Sequence, residues 1–153
     1  MASNEELLMM KYKEQKTQAR QHETHRATVT NLVILIAGGA LSIVGFQTIT
    51  VIHFVIGLFI LFLGVFGAIL SKKHYERFKY HTLWAHEYDK KLLKIFKESE
   101  IEDFKKKKLK HEKEFGWISK TRANKLWTGI HLLIALLGLL IIIITTIKVL
   151  KII

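Results

Sequence analysis

The sequence predicts an all-α integral membrane protein with three transmembrane helices and a long cytoplasmic helical extension. Three observations predict it. No Asp, Glu, Lys or Arg lies within 27–71 or 126–147; the 153-residue chain has no proline; and most of its net charge of +11 falls between the second and third apolar runs. A helix rises about 1.5 Å per residue and a bilayer's hydrocarbon core is about 30 Å thick, so about 20 apolar residues span it. Residues 29–46, 50–70 and 126–147 each meet that length. A soluble core rarely yields three uncharged runs of this size in so short a chain.

The elements follow in order. Residues 1–27 form an N-terminal cytoplasmic helix, in which Ser3 and Glu6 fit a capping box and Glu5 and Glu6 suit the positive end of the helix dipole. Arg20, His22, His25 and Arg26 then lie beneath the membrane, where anionic headgroups are their expected contacts. No small-residue cleavage pattern precedes the first apolar run, so it is not read as a removable signal peptide.

Residues 28–71 make a transmembrane hairpin. Its first span carries Asn31 and a small-residue face of Gly38, Ser42 and Gly45, and its second span carries Gly57, Gly64 and Ala68. Small residues let helix backbones approach closely in lipid. One face is expected to close the hairpin, which leaves the other for a second subunit; the general abundance of glycine in membrane helices is the alternative reading.

Residues 72–125 read as a basic cytoplasmic helical hairpin. Its first arm keeps an apolar and aromatic face through Tyr75, Phe78, Trp84, Tyr88 and Leu92. A second capping-box match, Ser99 with Glu102, marks the turn. The second arm holds Lys105, Lys106, Lys107, Lys108 and Lys110. Gly116 is placed to kink it before a collar of Trp117, Lys120, Arg122, Lys125 and Trp127. Residues 126–153 are the third transmembrane helix and tail.

Lys and Arg outnumber Asp and Glu nearly two to one in 72–125, whereas the 47–50 turn is uncharged. The positive-inside rule therefore puts the N-terminus and 72–125 in the cytoplasm and the 47–50 turn and the C-terminus outside. Lys148 and Lys151 in the tail argue the other way.

Enzyme chemistry has little to stand on. The acidic residues lie on amphipathic helices beside lysines rather than converging in a pocket, and the absence of cysteine excludes disulfides and thiolate chemistry. No cofactor is expected. His22 with His25, and His74 with His81, have helical spacing but bring no third metal ligand. His53 and His131 read as interfacial anchors or as pH sensors. With no acidic or basic residue inside the spans, a conducting path would be lined by weakly polar groups, for which Asn31, Ser42, Thr145 and Thr146 are the candidates. The lysine run suits a nucleotide or short oligonucleotide, anionic membrane lipids, or an acidic partner; a solvated helix face is the plain alternative. It has no glycine-rich phosphate loop beside it.

A charged N-terminal helix, a glycine-bearing membrane hairpin and a long basic helix opening Lys72-Lys73-His74-Tyr75-Glu76-Arg77-Phe78 together resemble the SLATT-type membrane effectors of bacterial anti-phage defence. The resemblance rests on architecture. It implies a homo-oligomer, a tetramer being favoured, that forms a pore or disrupts the bacterial inner membrane and is not an enzyme. It further implies silencing by a cytoplasmic regulatory protein, of nucleotidyltransferase type, or by a nucleotide-type ligand, with depolarisation and cell death on release. No fused sensor domain is expected beside the spans, so the gating input is expected from a separate protein or ligand.

Overall fold

The structure, a computed structural model, describes residues 3–45, 49–95, 98–120 and 123–150, with side chains for all but 98–100 and 119–120. Regular structure among the described residues is helical throughout: α1 (Asn4–Gly45), α2 (Val51–Leu92), a 3₁₀ turn at Leu93–Ile95, α3 (Glu98–Lys120) and α4 (Ala123–Val149). Three of these helices, α1, α2 and α4, contain a stretch long and apolar enough to cross a membrane. The chain is thus all-α with the make-up of a transmembrane protein. With no proline to break them, α1 and α2 each run 42 residues without interruption, about 63 Å at the helical rise and about twice what a bilayer core needs.

Side chains near the helix ends explain where the helices start. The Ser3 amide donates to Glu6 Oε2 at 2.7 Å and the Glu6 amide donates to Ser3 Oγ at 3.2 Å, so the capping box forms as the sequence suggests. At α2 one half of this arrangement is made by a histidine. The Thr50 amide donates to His53 Nδ1 at 3.1 Å, and the His53 amide donates to the Thr50 carbonyl at 3.0 Å. His53 is therefore a buried cap. Lys90 and Lys91 sit in the last turn of α2, where the dipole favours them. α3 contains a break at Gly116, whose φ of 44° and ψ of −117° suit glycine. α3 already begins at Glu98, so Ser99 lies in its first turn; the side chains of 98–100 are outside the described residues, as are residues 47 and 48 of the expected 47–50 turn.

Packing divides the chain into two units, one made of Met1–His22 with Glu76–Ala123 and the other of Glu23–Tyr75 with Asn124–Ile153. In the first unit the facing parts of α1 and α2 meet on small side chains, Ala19 and Ala85, with Leu92 closing one end. His22 stacks on His81 at a ring-centroid distance of 5.4 Å, and His81 Nδ1 lies 2.8 Å from Gln15 Oε1. Every described side chain of α3 from 102 to 118 is exposed.

The second unit is a bundle of three helices, α2 antiparallel to both α1 and α4. Val33, Ala37, Ile60 and Ile134 form its centre, with Val29, Leu41, Ile56, Leu63, Ile130 and Ile141 packed around them. Its large outward side chains are apolar, among them Leu35 (71% exposed), Phe62 and Leu133. A water-facing surface rarely carries an apolar band this extensive, whereas lipid accepts it.

The glycines of α2 pack against α4. A Cβ on Gly57 would stand 3.0 Å from the Gly138 carbonyl oxygen and 2.9 Å from Ile142 Cγ1. One on Gly64 would run into the Ala135 backbone, one on Gly67 into the His131 ring, and one on Gly138 into the backbone of Leu61. These residues repeat at three- and four-residue intervals on both helices, so a continuous seam forms at backbone distance. Ala68 is buried on the same helix.

Candidate functional site

Polar groups are buried inside this apolar bundle. Arg26, only 2% exposed, points inward from α1. Its Nη2 donates to Glu23 Oε1 and its Nη1 donates to Asn124 Oδ1 at 3.4 Å. The guanidinium also lies over the rings of Tyr75 and Trp127, 5.6 and 5.8 Å from their centroids. One cation thus ties α1 to α2 and α4 through cation–π contacts and a hydrogen bond. This differs from the headgroup contact that its place in the sequence suggests. His25, exposed on the same helix, lies against His74 with ring centroids 5.8 Å apart.

One turn above Arg26, the Thr30 hydroxyl donates to the Arg26 carbonyl at 2.9 Å. That commits its only proton, so at 3.0 Å the Thr30 oxygen accepts from His131 Nε2–H. His131 thus presents an N–H at Nε2, and its Nδ1 faces Gly67. Thr30, His131 and Ser71 are fully buried, and among the described residues neither His131 Nδ1 nor Ser71 Oγ has a hydrogen-bond partner. Replacing Thr30 by valine keeps the shape and removes the acceptor. It is expected to cost about 1–2 kcal/mol, the penalty of a buried N–H left unpaired, read as a lower unfolding midpoint in detergent; an unchanged midpoint would show that the Thr30–His131 bond contributes nothing.

His74 supplies a pH dependence. Burial first, then the charges of His25 and Arg26, hold its pKa below the ordinary value of 6.5. As pH falls below 6.5 the unfolded chain takes up a proton at His74 before the folded chain does. The stability contributed by the neutral ring is present above 6.5 and is lost as pH falls through the lowered folded value. Thermal melts by circular dichroism should show a lower Tm at pH about 5 than at about 7.5, with the difference reduced in His74→Gln. Equal pH dependence in both proteins would assign it elsewhere.

The remaining sequence candidates occupy different surfaces. Asn31, Gly38, Ser42 and Gly45 are exposed on one side of α1, and an added Cβ on Gly38 or Gly45 would meet nothing within 4 Å. Asn31 and Ser42 are eleven residues, three turns, apart and so project the same way. Ser42 Oγ donates to its own helix at the Gly39 carbonyl, 2.7 Å away. Thr145 is buried and Thr146 donates to the Ile142 carbonyl at 2.8 Å. The four weakly polar residues expected to line a path are therefore not gathered within one chain: two share an open face and Thr145 is covered. Lys105, Lys106, Lys107, Lys108 and Lys110 are exposed on α3. Among the described residues no three His, Cys, Asp or Glu side chains converge as a metal site.

The Arg26–Thr30–His131 cluster was not legible as a unit, although a signal existed: His131 is an ionisable residue inside an uncharged run, a position that usually has a reason. Comparison of the chain with models of known families, with curated proteins and with solved structures finds no match.

Proposed function

We propose that this chain is the subunit of a homo-oligomeric membrane protein with a gated ion path, acting as an effector at the bacterial inner membrane. The observation that carries the proposal is the open face of α1. Asn31, Gly38, Ser42 and Gly45 lie together, exposed, on a membrane-length helix, and among the described residues a Cβ added at Gly38 or Gly45 meets nothing within 4 Å, while the α2 glycines are used against α4. A polar amide and a row of small residues facing lipid gain by meeting a second copy of themselves or a shared water-filled path. The SLATT-type resemblance supplies the biological setting: a cytoplasmic protein or nucleotide holds the assembly silent, and its release depolarises the cell. The N-terminus and 72–125 are taken as cytoplasmic on their positive charge.

The test uses the absence of cysteine. A single Ser42→Cys variant in bilayers should cross-link between copies, and purified protein in planar bilayers should pass current under an activating condition. Cross-linking without current under any condition would favour the second reading, a non-conducting scaffold. That reading draws on unit one, where Met9, Met10, Leu92 and Ile95 line an apolar groove of the kind that accepts a partner helix. Neither cross-linking nor current would dismiss the oligomer altogether.

A further inference from the structure

We infer that α3 is a membrane-surface element, with its lysine run bound to anionic phospholipid headgroups and its aromatic and aliphatic side chains seated at the headgroup–acyl boundary. It rests on the reading of α1, α2 and α4 as membrane-spanning and on nothing about conductance.

Three observations converge on lipid. First, among the described residues every side chain of 102–118 is exposed, and Phe104 and Phe115, eleven residues and so three turns apart, put large apolar groups on one side of α3, with Ile118 exposed after the break. Second, Lys105, Lys106, Lys107, Lys108, Lys110 and Lys113 face only Glu112 as an acidic neighbour within 104–113, and Glu112 is already 3.9 Å from Lys108. That stretch is strongly cationic where the acidic residues 98–103 have ended. Third, only residues 114–125 separate the lysines from the third apolar run. The covalent tether therefore presents the run to the bilayer at high effective concentration. The Gly116 break lets α3 take a direction different from that of the segment leading into α4.

Lysines mixed with phenylalanines distinguish the occupant. An anionic membrane offers both headgroup charge and an apolar layer beneath it. A nucleotide would engage the lysines and leave Phe104 and Phe115 in water, and a second copy of α3 would set lysine against lysine.

The experiment uses the full chain in nanodiscs, with a nitroxide on Ile118→Cys as the only thiol. In discs containing phosphatidylglycerol, collision of the label with oxygen should exceed collision with a water-soluble nickel chelate. Pure phosphatidylcholine discs should give the reverse order, as should high salt or replacement of Lys105, Lys106, Lys107 and Lys108 by Gln. A Phe115→Cys label, on the side of α3 that carries Phe104, repeats the measurement should the first site perturb the helix. Equal, water-like exposure in both lipids overturns the inference. So does lipid-like exposure that ignores lipid charge and salt, and so does a change produced only by added oligonucleotide or only by raising the number of copies per disc. Helical chain that fails to enter discs would instead remove the membrane-spanning reading on which the inference rests.

Discussion

Replacing Gly64 by leucine is expected to separate α2 from α4 and to cost the fold about 3 kcal/mol or more, at the upper end of overpacking penalties. The cause is geometric. Even one carbon at Gly64 meets the Ala135 backbone and stands 2.7 Å from the His131 carbonyl oxygen, and a backbone cannot rotate out of the way as a side chain can. Gly38→Leu is the matched control, because an added Cβ there meets nothing within 4 Å. Thermal melts in detergent should show a large loss for Gly64→Leu and near-native stability for Gly38→Leu. Assembly should respond in the opposite sense, Gly38→Leu giving folded subunits that fail to cross-link through Ser42→Cys. If both variants melted like the wild type, the α2–α4 contact would not exist at backbone distance.

The second large effect is expected at Glu23, not at the arginine it accompanies. Glu23→Ala leaves a guanidinium that is 2% exposed with Asn124 and two ring faces but no counter-charge, and an uncompensated buried charge costs about 3 kcal/mol. Arg26→Met removes the charge itself and keeps an apolar stem against Tyr75 and Trp127. Since Glu23 retains access to solvent, its side chain being 42% exposed, losing the arginine strands no buried anion. Arg26→Met should therefore cost no more than about 1 kcal/mol. The double variant should recover most of what Glu23→Ala loses. Chemical unfolding of the three proteins reads the order directly, and an arginine variant less stable than the glutamate variant would mean that the cation–π and Asn124 contacts outweigh the buried charge.

What was legible in the sequence was whatever one helix decides alone. The Ser3–Glu6 cap, the lengths of the apolar runs and the break at Gly116 depend on residues a few positions apart, and the structure has them where the pattern puts them. Contacts between helices were less accessible. A row of small residues states that a backbone can come close, but not whose, and so the Gly57 and Gly64 face was open to α1, to another copy or to α4. Arg26 shows the same limit. Beside an apolar run an arginine suggests headgroups, whereas its actual surroundings come from Tyr75, Asn124 and Trp127, far away in the chain. The histidines offered spacings along single helices, and the pairs that formed, His22 with His81 and His25 with His74, lie across two.

The α2–α4 seam has a consequence for handling the protein. Between helices in lipid, burial of apolar area gives no driving force, because the acyl chains are as apolar as the side chains they replace. A junction in which Gly57, Gly64 and Gly138 bring main chains together is instead held by dispersion and by weak Cα–H···O contacts, neither of which depends on the surrounding amphiphile. The open face of α1 has no such internal bond and relies on what the solvent offers as an alternative neighbour. In the proposed oligomer, changing detergent should consequently leave the individual subunit intact while setting how many of them remain together.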